Sequence, residues 1–339
     1  MANEKVTSLD VARKAGVSQS AVSRVLTPGA SASKKTVEKV RSAVTELGYR
    51  PNILARSLIT GKSRIIGLVV AYLNNRFYPE VLEKLSHRLQ RKGYHVLIFI
   101  ANNTQDDISQ VIEGILEYQV DGIVAASVAM SSDLAARCQA AGVPIVLFNR
   151  SQDDDALCSV TSNNFLGGQT AARHLLDLGH TKIGYIAGWE GASTQLERED
   201  GFNSELALSN LKASHREVGN FEIDEAKQAA LKMFGASNYP TAVFVASDHM
   251  AFAVMDILRS NLGLRIPQDV SVVGFDDVSL ASYSAYDLTT IRQPLIQMVD
   301  TTVDILLTQI EHPETVNNRV IKIDPVLIKR SSSSVEKEK

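Results

Sequence analysis

The sequence predicts a small all-α headpiece followed by an α/β core made of two doubly wound, parallel-sheet subdomains. The first observation is a helix–glycine–helix pattern within residues 7–26. The second is that, from Ile65 onward, strand-length apolar runs alternate with amphipathic helix-length segments, as in parallel sheets covered by helices on both faces. The third is that this alternation occurs twice, opening with IGLVV at residues 66–70 and IGYIA at residues 183–187. Two similar subdomains are therefore expected, rather than one long sheet.

The first two helices of the headpiece are predicted from their end signals. Thr7 and Asp10 have the spacing of a capping box, and Gly16 suits the left-handed turn that ends a helix. Ser18 should then cap a second helix that continues to residue 26. Two short helices joined by a glycine turn form a helix-turn-helix, whose second helix can enter the major groove of DNA. From spacing alone, an ordinary helical hairpin is an equal alternative.

The distribution of charge favours the DNA-binding alternative. Residues 1–62 contain 11 Lys and Arg but 4 Asp and Glu, which gives them a net charge of +7. The whole chain has a net charge of −3, so residues 63–339 carry −10. A basic terminal module on an acidic body is what phosphate binding by one end of a protein requires.

The headpiece should end near residue 50. Ser33 is predicted to cap a third helix over residues 34–47. Pro51 then breaks the chain, and Asn52 could cap a helix of two turns before residue 62. A helix this short is marginal in water by itself, so a flexible linker is the alternative interpretation.

Composition narrows the class of protein. A hydrophobic content of 45% with 22% charged residues is typical of a soluble globular protein. Cys138 and Cys158 lack metal-binding or CxxC spacing, so two free thiols in a reducing cytoplasm are expected. The N-terminus resembles no signal peptide, and the apolar runs are far shorter than the ~20 residues of a membrane span. We therefore expect a cytoplasmic protein without a membrane partner, a metal or a cofactor.

Several further motifs occur in combination along the chain. They are AGVS (15–18), VSRVL (22–26), YRPN (49–52), VTSNN (160–164), VGFDD (273–277) and LTTIRQP (288–294). Together they resemble the LacI/GalR family of bacterial transcription regulators, and the resemblance covers nearly the whole chain. It implies a helix-turn-helix headpiece, a hinge helix and a core of the periplasmic-binding-protein fold.

The resemblance also implies domain boundaries. The DNA-binding headpiece should cover residues 1–50, the hinge helix or linker 51–62, and the ligand-sensing and dimerisation core 63–330. The core should divide into an N-subdomain (63–161 and 292–321) and a C-subdomain (162–291 and 322–330). The polar segment 331–339 is expected to be disordered, and it lacks the apolar heptads of a tetramerising coiled coil, which favours a homodimer.

DNA contacts are expected from residues of the predicted headpiece and hinge helices that occupy the DNA-contacting positions of the family. Gln19, Ser20 and Arg24 match base-reading positions, where glutamine can fork to adenine and arginine to guanine. In the hinge, Leu58 matches a leucine that wedges into the minor groove, and Ala55 a small residue at the helix–helix contact. The full expected set is Ser18, Gln19, Ser20, Ser23, Arg24, Asn52, Ala55 and Leu58.

A small-molecule effector is expected between the subdomains. In open α/β sheets, ligands bind beyond the carboxyl ends of the strands, and two facing sheets would place those ends on one cleft. Carboxylate, amide and guanidinium groups can bond to hydroxyls while an aromatic ring stacks on a ring face, which suits a sugar or related ring compound. By resemblance, Arg198, Phe221 and Asp276 hold the effector. The full expected set is Leu73, Asn75, Phe77, Asn149, Ser193, Arg198, Phe221, Ser247, Asp276 and Gln293.

The sequence thus predicts a ligand-responsive regulator, of the repressor kind usual in this family, on a near-palindromic operator. A solute-binding protein of a transporter is the alternative, because it shares the core fold. The absence of an export signal and the presence of a basic headpiece argue against it. An α/β enzyme is disfavoured because GxSxG, HExxH, paired CxxC and strand-linked GxGxxG motifs do not occur. Two residues near the cleft keep two interpretations: Trp189 as a packing or a ligand residue, and Asp248 as a helix cap or a ligand contact.

Overall fold

A computed structural model describes most of the chain. The described residues are 6–26, 31–50, 62–71, 73–101, 105–128, 132–151, 157–313 and 319–335. They form two compact units, Met1–Ser63 and Arg64–Lys339. The predicted hinge helix with Asn52, Ala55 and Leu58 lies outside the described residues.

The headpiece contains three helices at the predicted positions: α1 Ser8–Ala15, α2 Gln19–Leu26 and α3 Lys34–Leu47. The capping box between Thr7 and Asp10 is present, and Gly16 ends α1 with φ of 64°. A small apolar core that includes Val11, Val22 and Val40, each with no exposed surface, joins the three helices. Local end signals were therefore sufficient to define these helices.

The first sheet of the core has six parallel strands in the order β11-β5-β4-β3-β1-β2. The strands are β1 Ile65–Val70, β2 His95–Ile100, β3 Gly122–Ala126, β4 Ile145–Phe148, β5 Cys158–Ser162 and β11 Val320–Ile323. Its helices are α4 Phe77–Arg91, α5 Gln105–Glu117, α6 Ser132–Ala140 and α11 Leu295–Glu311. The central strands are buried on both faces, which explains their continuous apolar sequences.

The second sheet has six strands in the order β12-β10-β9-β8-β6-β7, parallel except for β12. The strands are β6 Ile183–Ala187, β7 His215–Val218, β8 Ala242–Val245, β9 Ser271–Asp276, β10 Thr289–Arg292 and β12 Val326–Ile328. Its helices are α7 Asn164–Asp177, α8 Ser193–Leu208, α9 Ile223–Phe234 and α10 Asp248–Ser260, with a 3-10 turn at Ser279–Ser282. The predicted fold of two doubly wound subdomains is confirmed.

The chain crosses between the sheets close to the predicted boundaries, with differences of one or two residues. Lys322 and Ile323 were assigned to the C-subdomain, but they pair with β5 in the first sheet. Arg292 was assigned to the N-subdomain, but it pairs with Asp276 in the second sheet. Each strand continues until its neighbour ends, because ladder hydrogen bonds satisfy the buried main chain.

Two helices of the C-subdomain begin earlier than predicted. We expected helices from Gly167 and Arg198, whereas α7 begins at Asn164 and α8 at Ser193. The two helices cross so closely that a Cβ on Gly168 would lie 2.1 Å from the carbonyl oxygen of Arg198. Gly168 therefore allows the close packing of α7 against α8.

The prediction that residues 331–339 are disordered is wrong for 331–335. Ser332 is 1% exposed. Its Oγ donates to the carbonyl of Val272 (2.6 Å) and accepts from the Thr289 N–H (2.8 Å). The tail is polar, so hydrogen bonds from its serine hydroxyls to the main chain of two strands hold it in place of apolar packing. Composition alone does not reveal such bonds.

Both cysteines, which lie within the described residues, are buried thiols outside any disulfide, as predicted. Burial raises the pKa of the Cys138 thiol to about 11, so the thiol is protonated at neutral pH. Within the described ranges, every helix is too short or too polar to cross a lipid bilayer.

Candidate functional site

The first candidate site is the exposed face of α2. Val22 is fully buried against the headpiece core, and Val25 and Leu26 are partly buried beside it. The opposite face carries the predicted DNA contacts that the structure describes, and all of them are exposed: Ser18, Gln19, Ser20, Ser23 and Arg24. A polar face on a helix whose other face is buried is the form expected of a recognition helix.

Local hydrogen bonds separate the roles of these side chains. The Ser18 Oγ accepts from the main-chain N–H of Ala21 (3.2 Å) and lies 2.9 Å from the Ser20 Oγ, so Ser18 caps α2. The Gln19 Nε2 donates to the Ser8 Oγ of α1 at 2.8 Å. The amide of Gln19 is thus fixed against the neighbouring helix, a contact that the sequence did not indicate.

The second candidate site lies at the carboxyl ends of the strands, where the two sheets meet. All the expected effector residues come from this edge or the helices that begin there. Leu73, Asn75 and Phe77 follow β1; Asn149 follows β4; Ser193 and Arg198 lie in α8 after β6; Phe221 follows β7; Ser247 follows β8; Asp276 ends β9; and Gln293 follows β10. The shared polarity of parallel strands brings together residues that lie far apart in sequence.

Arg198 lies at the centre of this edge and is 2% exposed. Its Nε donates to the Asn164 Oδ1 (2.9 Å), and its Nη1 donates to the carbonyl of Ala246 (2.6 Å). The guanidinium carbon lies 3.6 Å from the centroid of the Phe275 ring, and Nη2 is 3.9 Å from the Asp276 Oδ1. Burial lowers the pKa of Arg198 while Asp276 opposes that shift, so the cation is held by several partners at once.

Asp276 connects Arg198 to the second crossing segment, which follows β10. Its Oδ1 accepts from the Gln293 Nε2 at 2.7 Å, and both side chains are buried. Burial raises the pKa of Asp276, whereas Arg198 and the hydrogen bond from Gln293 lower it. Phe77, Asp276 and Gln293 also line one cavity of about 440 Å³, which is within the range of small-molecule sites.

Backbone conformation singles out three of the expected effector residues. The backbone φ angles of Asn149, Phe221 and Asp276 are 57°, 60° and 126°. Residues other than glycine rarely adopt such values. Each such residue costs on the order of 1–3 kcal/mol and persists where the surrounding structure enforces it. Gly188 leaves room for the side chain of Phe221, since a Cβ at residue 188 would lie 2.1 Å from the phenyl ring.

Buried polar atoms at this edge lack partners within the described part of the chain. They include the Asn149 Oδ1, Ser162 Oγ, Ser247 Oγ and Gln293 Oε1. A buried acceptor without a donor costs about 1–3 kcal/mol, so a ligand rich in hydroxyl or amino groups would stabilise this arrangement. The chemistry of the edge is that of a hydrogen-bonding receptor.

Other expected effector residues bond to the protein itself. The Asn75 Oδ1 accepts from the Phe77 N–H at 3.0 Å at the start of α4. Leu73 packs against the main core cluster, and Phe77 belongs to that cluster. The Ser193 Oγ accepts from the Ser151 N–H at 3.2 Å, a bond between the two subdomains.

Asp248 is not the cap of α10, so the helix-cap interpretation is wrong. The cap position of α10 is Ser247. Asp248 accepts from the Val278 N–H (2.9 Å) and the Thr290 Oγ1 (2.6 Å), which ties the start of α10 to the ends of β9 and β10. Burial raises its pKa, and this side chain braces the edge that carries Asp276.

One residue that the sequence interpretation did not select, Asn164, also shapes the cleft. Asn164 is fully buried and bonds to Arg198; its place in the VTSNN motif was the available signal. Arg150 of the first subdomain lies with its guanidinium carbon 5.3 Å from the ring centroid of Trp189 in the second. Nothing in the sequence paired these two residues, because the contact depends on how the subdomains meet.

An exposed polar recognition helix and a two-subdomain core with a buried polar cleft together define a DNA-binding regulator that responds to a ligand. Residues 7–52 match the model described as bacterial regulatory proteins, lacI family, and residues 172–333 match the periplasmic binding protein-like domain. The HTH-type transcriptional repressor PurR of Vibrio vulnificus (strain CMCP6) is 36% identical, and the alignment covers 96% of this chain and 98% of that protein. The chain belongs to the LacI family.

Solved structures are similar over the same extent. The Lac repressor dimer bound to operator and the anti-inducer ONPF is 28% identical with a TM-score of 0.87, and the match covers 98% of this chain and 100% of that chain. A complex of the transcriptional regulator CelR with cellobiose is 28% identical with a TM-score of 0.73, covering 97% and 100%. The similarity therefore extends through the headpiece and both subdomains.

Proposed function

We propose that this protein is a transcriptional repressor that binds a near-palindromic operator as a homodimer and is switched by a small polar ring compound. One observation carries the proposal: the chain combines an exposed polar face on α2 with a cleft of buried polar atoms that have no hydrogen-bond partner among the residues that the structure describes. The first feature suits DNA and the second suits a hydrogen-bonding metabolite. The repressor PurR and the operator-bound Lac repressor dimer, which are similar over almost the whole chain, support the combination.

In this function, α2 enters the major groove and its exposed face reads the operator. Gln19, Ser20 and Arg24 contact base edges, while Ser18 and Ser23 lie toward the phosphate backbone. The net charge of +7 on residues 1–62 attracts the phosphates, so affinity should fall steeply as salt is raised. Asn52, Ala55 and Leu58 act in the linker, with Leu58 as a wedge in the minor groove.

The effector lies between the subdomains and contacts the cleft residues. Arg198, Asp276 and Gln293 offer donors and acceptors on one side, and Phe221 offers a ring face. The cellobiose complex of CelR supports a sugar or a related ring compound as the effector class. The ligand changes DNA binding only if its affinity differs between the two arrangements of the subdomains.

The homodimer is supported by an exposed apolar edge on the first sheet. Strand β2 lies at this edge, and its side chains Ile98 and Ile100 are 50% and 64% exposed. Tyr118 is 55% exposed and packs edge-on against Phe99 of the same strand. A second copy of the chain would cover these side chains, which otherwise form an edge prone to association.

We also infer that the cleft binds without catalysis and that the protein acts in the cytoplasm with the DNA. The buried groups are tied to one another in bonds that fix a receptor surface, as Arg198 is to Asn164 and Asp276 is to Gln293. The curated relatives of similar length are repressors by name. Unchanged chemistry of each compound that binds would support this inference, and turnover of such a compound would contradict it.

The operator and the effector can be found with the full chain. Binding-site selection from random DNA should yield a near-palindromic sequence, and a thermal-shift screen of sugars, nucleosides and related metabolites should yield the effector, since a bound ligand raises apparent stability. The hits are then added to the operator complex in a gel-shift assay. Failure to select any DNA sequence would contradict the proposed function.

Arg24→Ala is expected to relax operator choice. Loss of one bidentate contact to guanine should lower specific affinity by roughly 1–3 kcal/mol and leave the thermal response to the effector unchanged. Arg41→Ala is the matched control, because it removes the same charge from an exposed position on α3 of the same headpiece. An unchanged base preference in Arg24→Ala would contradict the proposal that Arg24 reads a base.

A further inference from the structure

The first residues of α1 and α2 are joined by one side-chain bond. The Gln19 Nε2 donates to the Ser8 Oγ at 2.8 Å, across 11 positions of sequence. We propose that Ser8 is a positioning residue for base reading: it holds the Gln19 amide in the arrangement that selects adenine. The inference rests on the proposed function, in which Gln19 reads a base edge.

Both ends of this bond are anchored by helix caps. The Thr7 N–H donates to the Asp10 carboxylate (2.9 Å), and the Asp10 N–H donates to the Thr7 Oγ1 (3.4 Å), so the main chain at Ser8 is fixed. The Ser18 Oγ caps α2 and fixes the main chain at Gln19. The caps therefore fix the distance between the main chain at Ser8 and at Gln19. The long side chain of Gln19 covers that distance and places its amide on the Ser8 hydroxyl.

The bond leaves the amide with a defined hydrogen-bonding pattern. A glutamine amide has two N–H donors and a carbonyl acceptor, and Ser8 takes one of the donors. The remaining donor and acceptor are the pair that N7 and the N6 amino group of adenine require. Guanine presents two acceptors at the same edge, so its O6 would oppose the Gln19 carbonyl. The held amide thus matches adenine better than guanine.

Holding the amide also reduces the loss of side-chain freedom on DNA binding. Glutamine is among the side chains that lose most rotamer freedom when they are fixed. A side chain that is already restrained before binding avoids part of that loss at the interface. Because Gln19 is exposed, this restraint depends on Ser8 rather than on packing.

Ser8→Ala tests the inference in the full-length protein. Alanine is the best helix former and leaves Thr7 and Asp10 in place, so α1 should remain folded, which circular dichroism can verify. Binding-site selection followed by affinity measurement for all four bases at each operator position should show about threefold weaker preference for adenine at one position per half-site. That is the position at which Gln19→Ala abolishes the preference, and threefold is the scale of one neutral hydrogen bond.

Two further variants separate positioning from general effects. Ser8→Thr keeps the hydroxyl and should restore the adenine preference. Ser42→Ala removes another exposed serine hydroxyl, one that bonds to Glu46 on α3, and should leave every position unchanged. Rescue by threonine together with a change at only the Gln19 position would support the proposal.

The remaining outcomes overturn it. An unchanged profile in Ser8→Ala, an equal loss at all positions, or a stronger adenine preference would each exclude a positioning role; the last would mean that Ser8 competes with the base. If Gln19→Ala itself changes no base preference, the proposed reading of the operator by Gln19 fails and the inference fails with it. A change in Gln19→Ala without one in Ser8→Ala would reject the inference alone.

Discussion

At the scale of single residues, the cleft depends on one buried cation. Arg198 is bonded to Asn164 and to the carbonyl of Ala246, and it faces Asp276. Such a group is expensive to bury and more expensive to leave half-paired, because removal of one partner exposes the other to a low-dielectric surrounding. Arg198 therefore contributes to the stability of the C-subdomain, and we propose that it also forms part of the effector site.

Arg198→Ala should remove the response to the effector and leave operator binding by the headpiece intact. The free energy of unfolding of the core should fall by about 3 kcal/mol, the scale of a broken buried pair. The measurements are urea unfolding, thermal shift with the effector found by screening, and gel shift. Arg137→Ala is the matched control, since Arg137 and Glu113 form an ion pair that is about half exposed on both sides and contributes little to stability. A normal effector response in Arg198→Ala would exclude Arg198 from the site.

His174 makes stability depend on pH. Burial lowers the pKa of His174 to about 4 from its usual 6.5, with Lys329 adding to the shift. Between these values the unfolded chain binds a proton that the folded chain does not, so stability falls as pH is lowered from 6.5 to 4. The slope is at most about 1.4 kcal/mol per pH unit. Urea unfolding at several pH values in this range should show a weaker dependence of the free energy of unfolding on pH for His174→Gln than for the wild type. An equal dependence in the two proteins would contradict the role given to His174.

At the scale of elements, the sequence predicted the type and order of the helices and strands well, but it predicted the first residue of some helices poorly. The three headpiece helices were placed by their caps, because a capping box and a left-handed glycine act locally. Helix α8 begins five residues before the predicted position, since no capping side chain marks Ala192. Helix α7 begins three residues before the predicted Gly167, and its Gly168 allows α8 to approach closely.

The ordered tail is an element that only the structure revealed. Ser332 makes main-chain and side-chain bonds to Val272 and Thr289, and Ser333 bonds to His174 at 2.9 Å. Truncation after Arg330 should lower the free energy of unfolding by roughly 2–4 kcal/mol, the sum expected for a few hydrogen bonds. Truncation after Val335 is the control and should have little effect. Equal stability of the two truncated chains would show that the tail is not a structural element.

At the scale of the whole core, contacts between the subdomains complement the three crossing segments. Lys322 of β11 pairs with Glu197 of α8 at 2.7 Å, and the Ser151 N–H donates to the Ser193 Oγ. The guanidinium of Arg150 lies over the ring of Trp189, as described above. A change in the angle between subdomains must alter these contacts, so their energies would contribute to a proposed equilibrium between open and closed cores.

Trp189 is the single tryptophan of the chain and therefore reports on this equilibrium. Arg150→Met should move its fluorescence to longer wavelength and increase quenching by acrylamide, because loss of a cation–π contact of about 0.5–2 kcal/mol favours the open core. Arg137→Met, in which the altered side chain lies away from Trp189 on α6, is the control and should leave both signals unchanged. Identical spectra for wild type and Arg150→Met would show that the contact does not hold the subdomains together.

The sequence by itself determined the fold class, the headpiece helices and the edge of the sheets at which a ligand would bind. These follow from periodicity, caps and the common direction of parallel strands, which are local or directional rules. Only the tertiary structure decided that Asn164 holds Arg198, that Arg150 meets Trp189, and that Ser8 holds Gln19. Each of these pairs joins residues distant in sequence through side-chain geometry, and no local pattern fixes where two separate elements bring their side chains together.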